Sequence, residues 1–152
     1  MRGVFMVNLP INEAETIFER FWDGGESYPT HQKFSPLVNY KISYAPGTVA
    51  EVCQSWSAVD VSIQSQTDSG YSVRMERDCR LTVDGYDIFR LFASIAQNID
   101  FRVSCLIDGM EQTIIETTGI GEMWEYEGPI HGNLITHITL EFRLKGNSPY
   151  TA

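Results

Sequence analysis

Between Tyr71 and Val83 the apolar residues keep one parity: Tyr71, Val73, Met75, Cys79, Leu81 and Val83. An extended chain turns alternate side chains to opposite faces, so this run specifies a strand with one face on a core. Asp84-Gly85 interrupts it. From Tyr86 the spacing reads as helical, with Ile88, Leu91, Phe92, Ile95 and Ile99 on one side, Phe89 thickening that side and Asp84 placed as a cap. Phe101, Val103, Cys105 and Ile107 then return to period two. Strand, helix and strand are each amphipathic, and laying helix 86–98 on one face of a sheet buries all three apolar faces.

The flanking segments extend this expectation. Ile11, Ala14, Ile17, Phe18, Phe21 and Trp22 follow helical spacing, predicting an N-terminal helix from about Pro10 to Trp22 that Gly24-Gly25 ends. Val38, Tyr40, Ile42 and Tyr44 alternate with polar residues, as do Val59, Val61 and Ile63. Asp68-Ser69-Gly70 then suggests a long hairpin arm over residues 59–83, bent near Met75 to Asp78, where Arg77 falls on the apolar face. Asp108-Gly109 is a two-residue hairpin signal. Residues 110–118 are rich in strand formers but alternate poorly. In the last strand, Leu134, Ile138, Leu140, Phe142 and Leu144 face one way, opposite His137, Thr139, Glu141, Arg143 and Lys145. The expected fold is α+β: an antiparallel sheet with a helix on one face, an N-terminal helix and a long β-hairpin. One domain covers residues 1–146, and 147–152 form a polar tail.

Eleven basic against twenty acidic residues give a net charge of −9. This opposes a nucleic-acid binder, whose affinity comes largely from Lys and Arg on phosphates. Six acids and no bases lie between Asp108 and Gly128, which reads as a loop or edge. The first ten residues hold too short an apolar run for a signal-peptide core. No stretch approaches the roughly eighteen apolar residues of a membrane span, so a soluble protein that is not secreted is expected. Cys53, Cys79 and Cys105 form no close pair and read as free thiols, Cys79 and Cys105 sharing parity with core residues.

Chemistry is sparse. The chain contains no GxGxxG, P-loop, GxSxG or HExxH pattern. His131 and His137 lie six apart near Glu125 and Glu127, but strand spacing does not converge them on a metal, and the two glutamates read as a solvated acidic edge. Cys53 lacks a nucleophile signature. Neither a catalytic residue nor a cofactor is expected. Trp22, Trp56 and Trp124 sit near element ends or in loops, where they either close the core or anchor a protein interface. Interface candidates are these three with Tyr71 and Arg74 on the hairpin arm and Tyr126 beside Trp124.

Three segments, Ile11 to Trp22, Ser72 to Gln97 (SVRMERDCRLTVDGYDIFRLFASIAQ) and Leu134 to Leu144 (LITHITLEFRL), give an element order that resembles the tail-terminator and neck proteins of long-tailed bacteriophages. The resemblance implies a structural virion protein that assembles in the host cytoplasm. It implies a ring, usually a hexamer, with tail-tube and neck or connector proteins as partners and DNA passing through without specific binding. A tail-tube or other connector subunit is the nearest variant. From a different class, a small-molecule-binding domain would place an apolar pocket between helix 86–98 and the sheet.

Overall fold

Phe89, Leu91, Ala93 and Ile95 are buried, while Ile88, Arg90, Phe92 and Ser94 between them are half-buried. That alternation belongs to a strand. The structure, a computed structural model, describes residues 3–8, 16–20, 32–34, 40–55, 58–83 and 86–145, and among these it contains strands and no helix. The strands are β1 (Gly3–Asn8), β2 (Thr16–Arg20), β3 (Gln32–Phe34), β4 (Lys41–Tyr44), β5 (Val49–Ser55) and β6 (Ala58–Ser65). They continue as β7 (Val73–Thr82), β8 (Ile88–Ser94), β9 (Ile99–Ile107), β10 (Met110–Thr118), β11 (Met123–Pro129) and β12 (Leu134–Leu144).

The α+β expectation is therefore corrected to all-β. Leu91 and Ile95 fit a period of 3.6 and a period of two equally, so a short apolar run does not decide between them. Pairing decides. β8 is hydrogen-bonded between β1 and β11, and its odd-numbered residues face the core. The turn at Gln97-Asn98, closed by Ile99 N–H donating to the Ala96 carbonyl (3.1 Å), ends the segment after two more residues. The expected N-terminal helix is also corrected where it is described: Thr16–Arg20 is a strand, antiparallel to β1 and parallel to β3. The rest of that expected helix lies outside the described residues.

Two five-stranded sheets carry most of the fold, in the orders β11-β8-β1-β2-β3 and β10-β9-β12-β7-β4, with β5 and β6 forming a separate pair. The pairs β9/β10, β8/β11 and β7/β12 nest around the Asp108-Gly109 turn, and the middle pair crosses to the other sheet. This is a hairpin rolled over itself, the connectivity principle of a jelly roll. The apolar parities of both sheets meet in one core, where Phe89, Phe101, Phe142, Met75, Leu91 and Ile138 are fully buried. Phe101 of β9 meets Tyr126 of β11 edge-on across the sandwich, with ring centroids 4.8 Å apart.

The hairpin arm over 59–83 is not formed. β6 pairs with β5 and buries Val59 and Ile63, whereas β7 pairs with β4 and β12. The segment between them is gathered by the buried Gln66 amide. Its Nε2 donates to the carbonyls of Asp68 and Gly70, and its Oε1 accepts from Ser72 Oγ and Leu144 N–H. By contrast, β9 and β10 do form the expected hairpin. Asp108 and Gly109 have φ of 52° and 81°, the positive values a two-residue turn of this hand requires.

Bulges account for the irregular parities. In β10 a register shift between Thr113 and Ile115 turns both Ile114 and Ile115 inward, so this strand does not alternate cleanly in sequence. In β12 a shift between Ile135 and His137 buries Ile135 and leaves Leu134 half-buried; the core parity resumes at Ile138. Opposite it, four residues of β7, Asp78 to Leu81, span the same stretch as three of β12, Ile135 to His137, which places the bend just beyond the Met75–Asp78 stretch.

Candidate interaction surface

β11 reads MWEYEGP, and its two faces differ. Tyr126 and Gly128 point into the sandwich, and Glu125 and Glu127 lie outside with Arg90 of β8, whose Nε is 2.9 Å from Glu127 and 3.5 Å from Glu125. At Gly128 a side chain would collide with the Ile114 carbonyl, so β11 comes hard against the bulge of β10 there. At the other end the strand is open. Trp124 shares the inward parity of Tyr126 yet is 52% exposed, beside Met123 at 55% and Ile120 at 38%. β8 is the neighbour of β11 in its sheet, so its other backbone edge is unpaired among the described residues. Large apolar side chains at an open strand edge are a candidate interaction surface.

The opposite flank of the sandwich has a second open edge. β4 is the terminal strand of its sheet, paired to β7 through Lys41↔Glu76 to Tyr44↔Val73. Tyr44 stands on the core-facing parity but is 45% exposed, and Lys41 is exposed on the outer face. In both edge strands an aromatic has run past the end of the core.

Tyr71 and Arg74 lie on the outer face of the second sheet, away from Trp124. Tyr71 is half-buried between two guanidiniums, those of Arg102 and Arg143, each 4.5 Å from its ring centroid. Its hydroxyl donates to Glu116 (3.1 Å). Arg102 in turn gives Nε and Nη2 to Glu141 (3.0 and 2.9 Å), and Arg143 gives Nε to Asp100 (3.1 Å), which accepts from Thr118. Glu116, Arg102, Glu141 and Arg74 occupy one cross-strand row of alternating charge, and Arg74 also pairs with Glu76. Burial, then the Glu116 charge and its hydrogen bond, raise the Tyr71 phenol above its ordinary pKa against the opposing Arg143 and Arg102 charges. Burial works against the Arg102 charge, but the hydrogen bond and charge of Glu141, with Tyr71 and Glu116, outweigh it and raise its pKa. This network makes the face rigid and largely self-neutralised. The sequence shows its residues as a polar strand face, but not the register that makes them a row.

Among the interface candidates, Trp124 is exposed, Tyr126 is an inter-sheet core residue, Tyr71 is held in the arginine clamp and Arg74 is exposed on that same face. Trp22 and Trp56 lie outside the described residues. The two histidines are apart in role: His137 Nδ1 is 2.7 Å from Asp78, while the His131 carbonyl accepts from Gln112. Glu125 and Glu127 engage Arg90 instead. No group of His, Cys, Asp and Glu among the described residues is arranged to hold a metal. Cys53 is exposed, Cys79 half-buried and Cys105 buried, all as free thiols. Arg77, the basic residue on the apolar parity of β7, lies over the Tyr40 ring at 5.9 Å. A cavity of about 260 Å³ opens between Val61, Ile63, Ile95, Ile99 and Phe142 beside Gly121, just below the roughly 300–1,000 Å³ of ordinary ligand pockets.

Comparison with protein-family models, with curated proteins and with solved structures finds no match for this chain.

Proposed function

We propose that this protein is a non-enzymatic structural subunit that works by assembling with further copies of itself. The observation that carries the reading is Trp124, exposed on the core-facing parity at the uncovered end of an edge strand, with Ile120 and Met123 also exposed nearby in the chain. A strand end of this kind is normally blunted by charge, proline or a covering element, and here large apolar groups occupy it instead. Support also comes from the charged groups, which are spent on one another in the Arg102–Glu141, Arg143–Asp100 and Arg90–Glu127 pairs rather than converging on a cleft.

A phage tail-terminator or neck ring is one form such a subunit takes. Two of the three segments behind that resemblance carry strands, where described, in place of the expected helices. The proposal therefore rests on the surface and keeps the assembly role, with the ring as its closed form. The cavity beside Ile95 favours a second reading, a site for a small apolar molecule, but its volume suits a fragment rather than a metabolite of ordinary size.

Light scattering of the purified chain over a range of concentrations tests the assembly reading. The expected result is a discrete multiple of the chain mass that Trp124→Ser abolishes while the variant keeps the circular dichroism of the folded β-protein. A monomer at every concentration, or an assembly indifferent to Trp124→Ser, overturns it.

A further inference from the structure

Of the four strands that end the two five-stranded sheets (β3, β4, β10 and β11), β4 and β11 lie on flanks of opposite charge. β4 and its neighbour β7 hold Lys41, Arg74, Arg77 and Arg80 against Glu76 and Asp78, an excess of bases in a chain whose net charge is −9. β10, β11 and the loop joining them hold Glu111, Glu116, Glu122, Glu125 and Glu127 and no base. The sheet orders run in step: β11 lies against β10, and β4 ends its sheet on the far side, two strands beyond β12. The basic and acidic edges therefore occupy opposite flanks.

We infer that copies of this chain join head to tail, with the open end of β11 in one copy set beside β4 of the next. This deepens the assembly reading and rests on it. Strand pairing across the contact would continue one sheet into the other. It would set Trp124 near Tyr44 of the next copy, two aromatics that each stand on the core-facing side of their strand yet remain in solvent. Charge selects this pairing over the symmetric alternatives. Two β11 strands side by side would bring Glu122, Glu125 and Glu127 against their own counterparts, and like charges on facing strands are destabilising. Two β4 strands, antiparallel about a twofold axis, would set Lys41 of each beside Tyr44 of the other and bring no opposite charges together. A contact between two different surfaces repeats in one direction, and it closes as a ring or continues as a filament according to the rotation per step. The arrangement needs no segment beyond those already in place, since both strands are exposed at their outer edges among the described residues.

The test is charge exchange, read as mass by light scattering. Glu122→Lys with Glu125→Lys alters the acidic edge; Lys41→Glu with Tyr44→Ser alters the basic one. Each altered protein alone should lose assembly at least tenfold in the concentration required. An equimolar mixture should recover assembly, because the two unaltered edges still fit each other and the two altered edges are again opposite in charge. Lys41→Glu with Tyr44→Ser is the decisive variant. If it assembles as the unaltered chain does, while Trp124→Ser still dissociates, then copies associate but not through β4. That outcome overturns the head-to-tail inference and leaves the assembly reading standing. A mixture that stays as dissociated as either altered protein alone also overturns the inference. A wild-type chain that remains monomeric overturns both together.

Discussion

Trp124 and Tyr126 stand two residues apart on the same face of β11, and the core takes only one of them. Tyr126 is 6% exposed, edge-on to Phe101, and its hydroxyl accepts the Ile120 N–H at 3.2 Å. Trp124 projects beyond the rim. One strand thus supplies a staple between the sheets and, one step of the pleat away, an apolar group left in solvent.

Substitution separates the two roles. Below the concentration at which copies assemble, Trp124→Ser should leave stability within about 0.5 kcal/mol of the parent, as exposed positions do. Tyr126→Ala should cost about 3–5 kcal/mol through the cavity it leaves, and Tyr126→Phe about 1 kcal/mol for the lost acceptor. Urea denaturation of the three variants measures this. A Trp124→Ser cost near that of Tyr126→Ala would make Trp124 a core residue in solution.

Gln66 organises the loop from β6 to β7. Removing its amide in Gln66→Ala strands the Leu144 N–H and the carbonyls of Asp68 and Gly70, at a cost of about 1–3 kcal/mol. In Gln66→Glu a carboxylate would face those two carbonyls, which raises its folded-state pKa above the unfolded value of about 4.3. The sign follows: that variant should be most stable relative to the parent below pH 4.3 and lose ground as pH rises through the raised value. Melting temperatures across this window decide it, and a flat difference would show that the introduced group is solvated.

Tyr71 should report its clamp in alkaline titration. Its phenol pKa is raised, by partial burial first and by Glu116 next. Whatever stability this proton confers is complete below pH 10 and disappears as pH rises through the higher folded value. Phenolate absorbance should show a late-titrating component that Tyr71→Phe diminishes. Retention of the late step in Tyr71→Phe would assign it elsewhere.

The charged row beneath Tyr71 should couple measurably. A double-mutant cycle on Arg102 and Glu141, both partly buried and joined by two hydrogen bonds, should give about 1 kcal/mol, against less for the more exposed Arg90 and Glu127. Equal values in the two cycles would mean that the row adds nothing beyond a surface pair.

Much of the chain declares itself locally. Asp108-Gly109 is legible as a hairpin turn because its backbone requirement and its residues coincide, and the alternation through Leu144 marks the last strand. The 88–94 segment is not legible as a strand: Leu91 and Ile95 satisfy either period, and only the flanking strands β1 and β11 settle it. Bulges hide what alternation there is, as at Ile114 and Ile115. The candidate surface was half visible. An aromatic near an acidic edge can be read from the sequence, but the exposure of Trp124 and the burial of Tyr126 depend on where the opposite sheet ends. Pairings such as Arg102 with Glu141 join residues 39 apart and appear only once register is known.

The nested pairing around Asp108-Gly109 also sets an order of events in time. The turn brings β9 and β10 together with almost no chain to close. That hairpin then shortens the loop that β8 and β11 must close, and their pairing does the same for β7 and β12. Residues flanking the turn, such as Ile107, should be native-like in the folding transition state, and those of β7, such as Val73, should not. A chain rolled up from its middle commits its outer strands last, so β4, which depends on β7, finds its place only after the nested pairs have formed.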